Sequence, residues 1–312
     1  MNAYEIIKDP HLDDKIRKEG SHKVLGFDGL IAMDSGGFQF IRRHILNIEP
    51  ASILKLYAES RPDYGVILDH PIGPGISEYQ RRKRQALTLR NSEVMVKEHR
   101  SQNPVLIPVI HGQSVKSAKW YLKKLLSIAD FPVLGIGSLV PSVFNMKGAL
   151  RTHTAFRMLS YIRRALPEKL LHVFGIASTL SMHLMFYAGI DSVDSSAWRL
   201  KAAYGAIQLP GVGDRYITAR VRHKEYRDLS AEEMNLLDEC RCPACRKGTT
   251  NSLRTSFSAR ALHNAWVYQR EVQLARKLIK GGEYDNYVEG VLKRSSRFAR
   301  LFELVKRYRL SS

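Results

Sequence analysis

Cysteine is scarce in this 312-residue chain: there are three, all between positions 240 and 245. So few, bunched so tightly, cannot make a disulfide framework; they point to a reducing compartment and to a metal. No apolar run approaches the ~20 residues of a membrane helix. The opening stretch MNAYEIIKDPHLDDKIRKEG is charged throughout and lacks the apolar centre of a signal peptide. A soluble, cytoplasmic protein with no membrane partner is expected. Solenoid repeats and low-complexity linkers are missing, and no glycine-rich phosphate fingerprint follows an early strand, which argues against a dinucleotide-binding sheet. Acidic residues are also short, 30 against 49 basic ones.

Hydrophobic residues make up 44% of the chain, enough for a real core in one large domain with an appendage, or in two modest domains. From about residue 24 to 194, short apolar runs end abruptly in small or polar residues and polar, helix-prone segments follow. The runs are Leu30–Met33, Val66–Leu68, Val105–Ile110, Pro132–Leu134, Leu171–Phe174 and Ile190–Val193, with helices read over 51–60, 78–100, 115–128, 149–165 and 179–188. Continuous apolar strands alternating with helices mark a parallel sheet covered on both faces. Their number over roughly 200 residues fits an α/β fold of the (β/α)8 barrel type better than a doubly wound sheet. In such a barrel the functional groups stand where strands end, and Asp34, Asp69, His111, Gly135 and Asp194 stand there. Any one of the aspartates alone could cap the next helix; three together point to chemistry.

Beyond residue 205 the pattern changes. Ala206–Leu209 and Tyr216–Ala219 read as a hairpin turned at Pro210–Asp214, then come the cysteines and long helices over 256–280 and from Asp285 to the end. The expected organisation is 1–205 for the main barrel with its catalytic face, 206–280 for the hairpin, an appended metal subdomain and a closing helix, and 281–312 for a basic C-terminal helix. The net charge of +19, with an isoelectric point near 9.9, favours a polyanion partner, nucleic acid above all. Basic clusters include Arg81-Arg82-Lys83-Arg84, Arg163-Arg164 and the tail with Lys293, Arg294, Arg297, Arg300, Lys306, Arg307 and Arg309. There Val291, Leu292, Phe298, Leu301, Phe302 and Val305 recur at helical spacing, so the tail reads as an amphipathic helix with a basic face. Such a face could equally serve solubility.

Cys240, Cys242 and Cys245 put three thiolates on one knuckle, and His263 in Ala261-Leu262-His263-Asn264 is placed to be the fourth ligand. Three thiolates and an imidazole make the closed shell of a structural Zn²⁺ site, with no open position for substrate. His223, or no fourth protein ligand, are the alternatives.

These residues also resemble those of a known family. Asp34-Ser35-Gly36-Gly37-Phe38-Gln39 is similar to the signature of the tRNA-guanine transglycosylases. Further matches follow in the family's order: Asp69; His111-Gly112 where the family has Gln-Gly; Gly137-Ser138-Leu139-Val140-Pro141, similar to the archaeal branch; Phe174-Gly175-Ile176; Gly189–Ser196; and the Cys3His motif with Leu-His-Asn. The resemblance covers about residues 24–275 and implies an enzyme that removes a guanine from a nucleic acid and inserts a free 7-deazaguanine base. A carboxylate nucleophile at C1′ would hold the sugar while the bases exchange. Asp194 matches that nucleophile and Asp34 the acid/base. Asp69 would accept hydrogen bonds from the guanine edge, with His111, Gly135, Gly137, Ser35 and Gln39 also in base binding. The target nucleotide would have to flip out. Of two aspartates three apart, Asp194 is the expected nucleophile and Asp191 a buried structural carboxylate.

His111 for glutamine, and Trp198-Arg199 after the nucleophile, depart from the family. The archaeal-like segments imply 7-cyano-7-deazaguanine as the incoming base. Archaeal tRNA enzymes carry further C-terminal RNA-binding domains for which 312 residues leave no room. A branch acting on DNA is therefore narrowly favoured, with tRNA the alternative. The family also contains accessory subunits without catalytic aspartates, so a non-catalytic zinc-containing nucleic-acid-binding subunit is the second function class. A homodimer or an accessory role is open.

Overall fold

The structure is a computed structural model that describes residues 1–40, 48–112, 114–144, 147, 151–218, 227–247 and 250–310. The chain forms two compact units, Met1–Phe174 and Gly175–Ser312.

The first unit opens with three helices that the sequence does not announce, α1 (Ala3–Lys8), α2 (Pro10–Glu19) and α3 (Ser21–Leu25). Strands and helices then alternate: β1 (Ala32–Met33), α4 (Pro50–Ser60), β2 (Tyr64–Val66), α5 (Glu78–Glu98), β3 (Val105–Ile107), β4 (Val109–Ile110), α6 (Val115–Leu126), β5 (Val133–Ile136), α7 (Val140–Val143), α8 (Thr152–Ala165) and β6 (Leu170–Val173). Sequence explains several boundaries. Ser77 with Gln80, and Ser114 with Ser117, close capping boxes at the starts of α5 and α6, satisfying amides that lack a helical partner. The expected helices at 51–60, 78–100, 115–128 and 149–165 are present within a few residues, although 149 and 150 lie outside the described residues.

All strand pairs in this unit are parallel, β1 with β2, β2 with β3, β4 with β5, and β5 with β6. Pro108, which has no amide to give, divides the run 105–110 between two ladders, while its carbonyl still accepts from the Gly135 amide at 2.8 Å. Spatial order therefore follows chain order. A doubly wound sheet reverses its order at a switch point, whereas a (β/α) barrel does not; the α/β barrel-type architecture is the one observed. Val66, Ile107, Val109 and Val133 pack as a buried cluster, with Tyr64 and Phe174 against it.

The second unit contains α9 (Ser181–Tyr187), β7 (Ser192–Val193), α10 (Ala197–Ala203), β8 (Ala206–Leu209), β9 (Gly213–Tyr216), α11 (Ala231–Asp238), α12 (Pro243–Lys247), α13 (Thr250–Thr255), α14 (Phe257–Gly281), α15 (Tyr284–Lys293) and α16 (Ser296–Leu310). The hairpin is tighter than its sequence implies. Leu209 pairs with Gly213 and Ala206 with Tyr216, so the second strand starts at Gly213 rather than Tyr216. Gly211 and Gly213 make this possible by adopting φ of 61° and 97°. The single tail helix read from Asp285 onward is instead two helices, α15 and α16, packed on each other. Ser295 interrupts them, its carbonyl and hydroxyl accepting from Ala299 and Phe298 at the start of α16. Among the described residues no helix is long and apolar enough to cross a membrane.

Candidate functional site

In the first unit, Asp34 directly follows β1. Its backbone is gripped by the N-terminal segment: Ala3 N donates to Asp34 O at 2.7 Å and Asp34 N to Met1 O at 2.8 Å. The Asn2 side chain joins the two, donating to Asp34 Oδ2 at 3.0 Å while its oxygen caps α1. Ser35 is fully buried, and among the described residues its hydroxyl has no hydrogen-bond partner. Gln39 and Phe38 are exposed in the short turn that follows.

Asp69, three residues past β2, is buried and pairs with His111, which directly follows β4 and is wholly buried: His111 Nε2 lies 2.9 Å from Asp69 Oδ2. The other ring nitrogen, Nδ1, lies 3.0 Å from Ser138 Oγ. Two glycines leave room for the pair. A Cβ on Gly37 would meet Asp69 Oδ1 at 1.9 Å, and one on Gly137 would meet His111 Cε1 at 2.7 Å. Gly135 lies inside β5 rather than at its end, and a Cβ there would meet the Phe174 ring at 2.3 Å. The amides of Gly135 and Gly137 both serve the sheet, donating to Pro108 and Ile110 carbonyls. Asp34 and Asp69 share one end of this unit. The Tyr57 hydroxyl, donating to Met33 O and Val66 O, is raised well above its ordinary pKa by burial and then by the charges of both carboxylates.

Sequence reasoning missed what holds these loops. Helix α5 buries a polar row, Gln85, Thr88, Asn91 and Ser92. Gln85 donates to His111 O at 2.7 Å, Thr88 Oγ1 accepts from His70 N at 2.9 Å, and Asn91 donates to Leu68 O at 2.9 Å and lies 3.3 Å from His70 Nε2. Burial lowers the His70 pKa to about 4 despite the neighbouring Asp69, with Arg84 and His111 adding to the drop. The only signal in the sequence was negative: this helix has no apolar stripe.

In the second unit, Asp194 directly follows β7 and is exposed, its Oδ1 accepting from the Gly175 amide at 2.7 Å. Asp191, expected to be buried, is exposed as well, because β7 is only two residues long and leaves its approach at the surface. Cys240, Cys242, Cys245 and His263 converge, with all four ligand atoms within 4.8 Å of one another. His223 lies outside the described residues. His263 Nδ1 stands 3.6, 3.6 and 3.4 Å from the three sulfurs. Its Nε2 donates to Gln208 O at 2.9 Å, which fixes the tautomer that leaves Nδ1 free to ligate. Hydrogen bonding from Cys240 and Cys245 lowers the Cys242 thiol strongly. Burial works against protonating His263, yet Cys240 and Cys242 raise it to about 9. Gathered this closely, the three sulfurs and the imidazole nitrogen could hold a metal ion. Asn264 extends it, taking Gln208 N at 2.7 Å and donating to Trp198 O at 3.0 Å and Ala206 O at 3.2 Å. The Cys3His knuckle is thereby stapled to β8 and to α10, the helix that follows Asp194.

A family model described as queuine tRNA-ribosyltransferase matches residues 1–297. The chain belongs to the queuine tRNA-ribosyltransferase family. Among curated relatives, the tRNA-guanine(15) transglycosylase of Pyrococcus abyssi is 27% identical over 98% of this chain and 49% of its own length. That of Methanococcus aeolicus is 28% identical over 92% of this chain and 43% of its own length. That of Methanopyrus kandleri is 26% identical over 98% and 63%. The chain spans about half the length of the first relatives it matches. His111 sits beside Asp69, at the heart of the first unit's polar cluster.

Proposed function

We propose that this chain exchanges a guanine in a nucleic acid for a 7-deazaguanine through a covalent aspartyl-glycosyl intermediate. The observation that carries the reading is the pair of strand-end carboxylates Asp34 and Asp69, felt together by Tyr57, in a chain of this family. Asp194 would attack C1′ and break its bond to guanine, with Asp34 protonating the leaving base. Asp34 would then take the proton of the incoming base, whose attack on C1′ frees Asp194. The 2.7 Å bond from Gly175 N orients the Asp194 carboxylate. Asp69 accepts from the base edge. Ser35 lies in the same signature, and Gln39, Gly135 and Gly137 complete the base-binding set.

The metal in this reading is Zn²⁺. A tetrahedral ion about 2.3 Å from sulfur and about 2.0 Å from nitrogen would space those atoms by roughly 3.5 Å, in keeping with 3.4 to 3.6 Å at His263. Its role is structural, since four protein ligands leave no coordination position open.

For the polynucleotide, the narrower reading is DNA, on the substitutions His111 and Trp198-Arg199, with 7-cyano-7-deazaguanine entering. The relatives, tRNA-guanine(15) transglycosylases by name, favour tRNA as the second reading. Labelled-guanine exchange with purified protein tests the activity, and nucleoside mass spectrometry on DNA and tRNA separately, from cells with and without the gene, tests the substrate. Asp194→Asn should abolish the trapped adduct and leave binding within a few-fold. An adduct that survives in Asp194→Asn but is lost in Asp191→Asn would assign the nucleophile to the other aspartate.

A further inference from the structure

Ser138 sits just past β5 with φ of 65°, a left-handed backbone that serine seldom adopts. Such a conformation persists where the surroundings over-determine it, and here they do so through the side chain. Ile72 N donates to Ser138 Oγ at 2.8 Å, and His111 Nδ1 lies 3.0 Å from the same oxygen. At the far side of the ring, Nε2 meets Asp69 Oδ2 at 2.9 Å. Three segments, the loop after β2, the end of β4 and the end of β5, are thus joined by one hydroxyl–imidazole–carboxylate chain.

The direction of its hydrogen bonds follows from its ends. An ionised carboxylate only accepts, so Nε2 must carry a proton. The amide of Ile72 can only donate, so it uses a lone pair of Ser138 Oγ. Among the described residues the hydroxyl's own proton has one acceptor within reach, His111 Nδ1. Both ends demand the same neutral tautomer, Nε2–H with Nδ1 bare. A second proton on the ring would leave the serine proton without an acceptor beside a buried group. In this tautomer both ring nitrogens are spent, and the imidazole has none to offer a base.

We propose that Ser138 is a positioning residue: it donates to Nδ1 and holds His111 as the Nε2–H tautomer, so that His111 donates to Asp69 rather than to the base and fixes the orientation of the Asp69 carboxylate. This rests on the reading of Asp69 as the carboxylate that binds the guanine edge. A glutamine amide at 111 has no tautomer to be chosen. The dependence on Ser138 is therefore specific to a chain that carries histidine at 111.

The direct test is a long-range ¹H–¹⁵N correlation spectrum of the full chain labelled in histidine, with the His111 signals identified by their loss in His111→Gln. A protonated Nε2 with a bare Nδ1 is expected, giving way to mixed tautomers in Ser138→Gly, a variant that keeps the left-handed backbone free of strain. A protonated Nδ1 in the unaltered protein, or an unchanged spectrum in Ser138→Gly, would overturn the proposal. The unaltered protein alone suffices for the first outcome. In exchange assays Ser138→Gly should raise the KM for free guanine roughly tenfold, the worth of one hydrogen bond, with kcat changed by less than about twofold. In the His111→Gln background the same substitution should have no effect; an equal effect there would also overturn it. Absence of exchange by the unaltered protein would sink the proposed function and leave the tautomer result standing.

Discussion

At the scale of the residue, His70 offers a measurable consequence of burial. Its ring follows Asp69, and its Nε2 faces an Asn91 amide whose nitrogen also donates to a carbonyl, so the ring accepts there and is neutral. Its pKa falls from 6.5 to about 4, burial being the main cause. The unfolded chain therefore binds a proton between those values that the folded chain refuses. The contribution to stability is complete above about pH 6.5 and is lost as the pH falls toward 4. Thermal unfolding followed from pH 7 to pH 4.5 should show a decline in Tm that is shallower in His70→Asn than in the unaltered protein. Parallel curves would mean that the ring titrates in the folded state as it does unfolded.

At the scale of the element, the metal knuckle should act on its neighbours through Asn264. Cys242→Ser, or removal of the ion by a chelator, should cost about one equivalent of bound zinc and lower Tm. Because Asn264 donates to Trp198 O and Ala206 O, hydrogen exchange should rise in α10 and β8 as well as at the knuckle. Purified protein holding less than about half an equivalent would contradict the site. This element was legible in the sequence because its ligands are of a diagnostic type and three of them are adjacent. The strand ends at Asp34, Asp69 and Asp194 were legible too, since an apolar run that stops at a carboxylate marks itself. Helices α1 and α2, and the grip of Asn2 on Asp34, were not, because the contact joins distant positions with no periodicity to betray it. Nor was the break at Ser295, where neither glycine nor proline punctuates the tail.

At the scale of the whole molecule, the surplus of 49 basic over 30 acidic residues is distributed less freely than the sequence implies. Within Arg81–Arg84, Arg81 donates to Ile76 O, Arg84 to Pro71 O at 2.8 Å, and Arg82 pairs with Glu78. Arg309 pairs with Asp285 and lies over the Tyr187 ring at 4.4 Å. Arg297, Arg300 and Arg307 are exposed on α16. Affinity for polynucleotide should fall steeply with salt, and replacing these three by alanine should flatten the logarithmic slope by roughly 2 to 3. Arg84→Ala should instead lower stability and leave that slope alone. An affinity indifferent to salt would make the positive charge a matter of solubility.

The polar row on α5 also fixes a position along an axis. A helix held by an apolar stripe can slide by one turn, about 5.4 Å, and still find grease against grease. Slid by that amount, Gln85, Thr88 and Asn91 would abandon His111 O, His70 N and Leu68 O, and for the two buried carbonyls the loss of a partner costs about 1 to 3 kcal/mol each. Helix α5 thus works like a key with three teeth, and the loops bearing Asp69 and His111 have one setting in which all three engage.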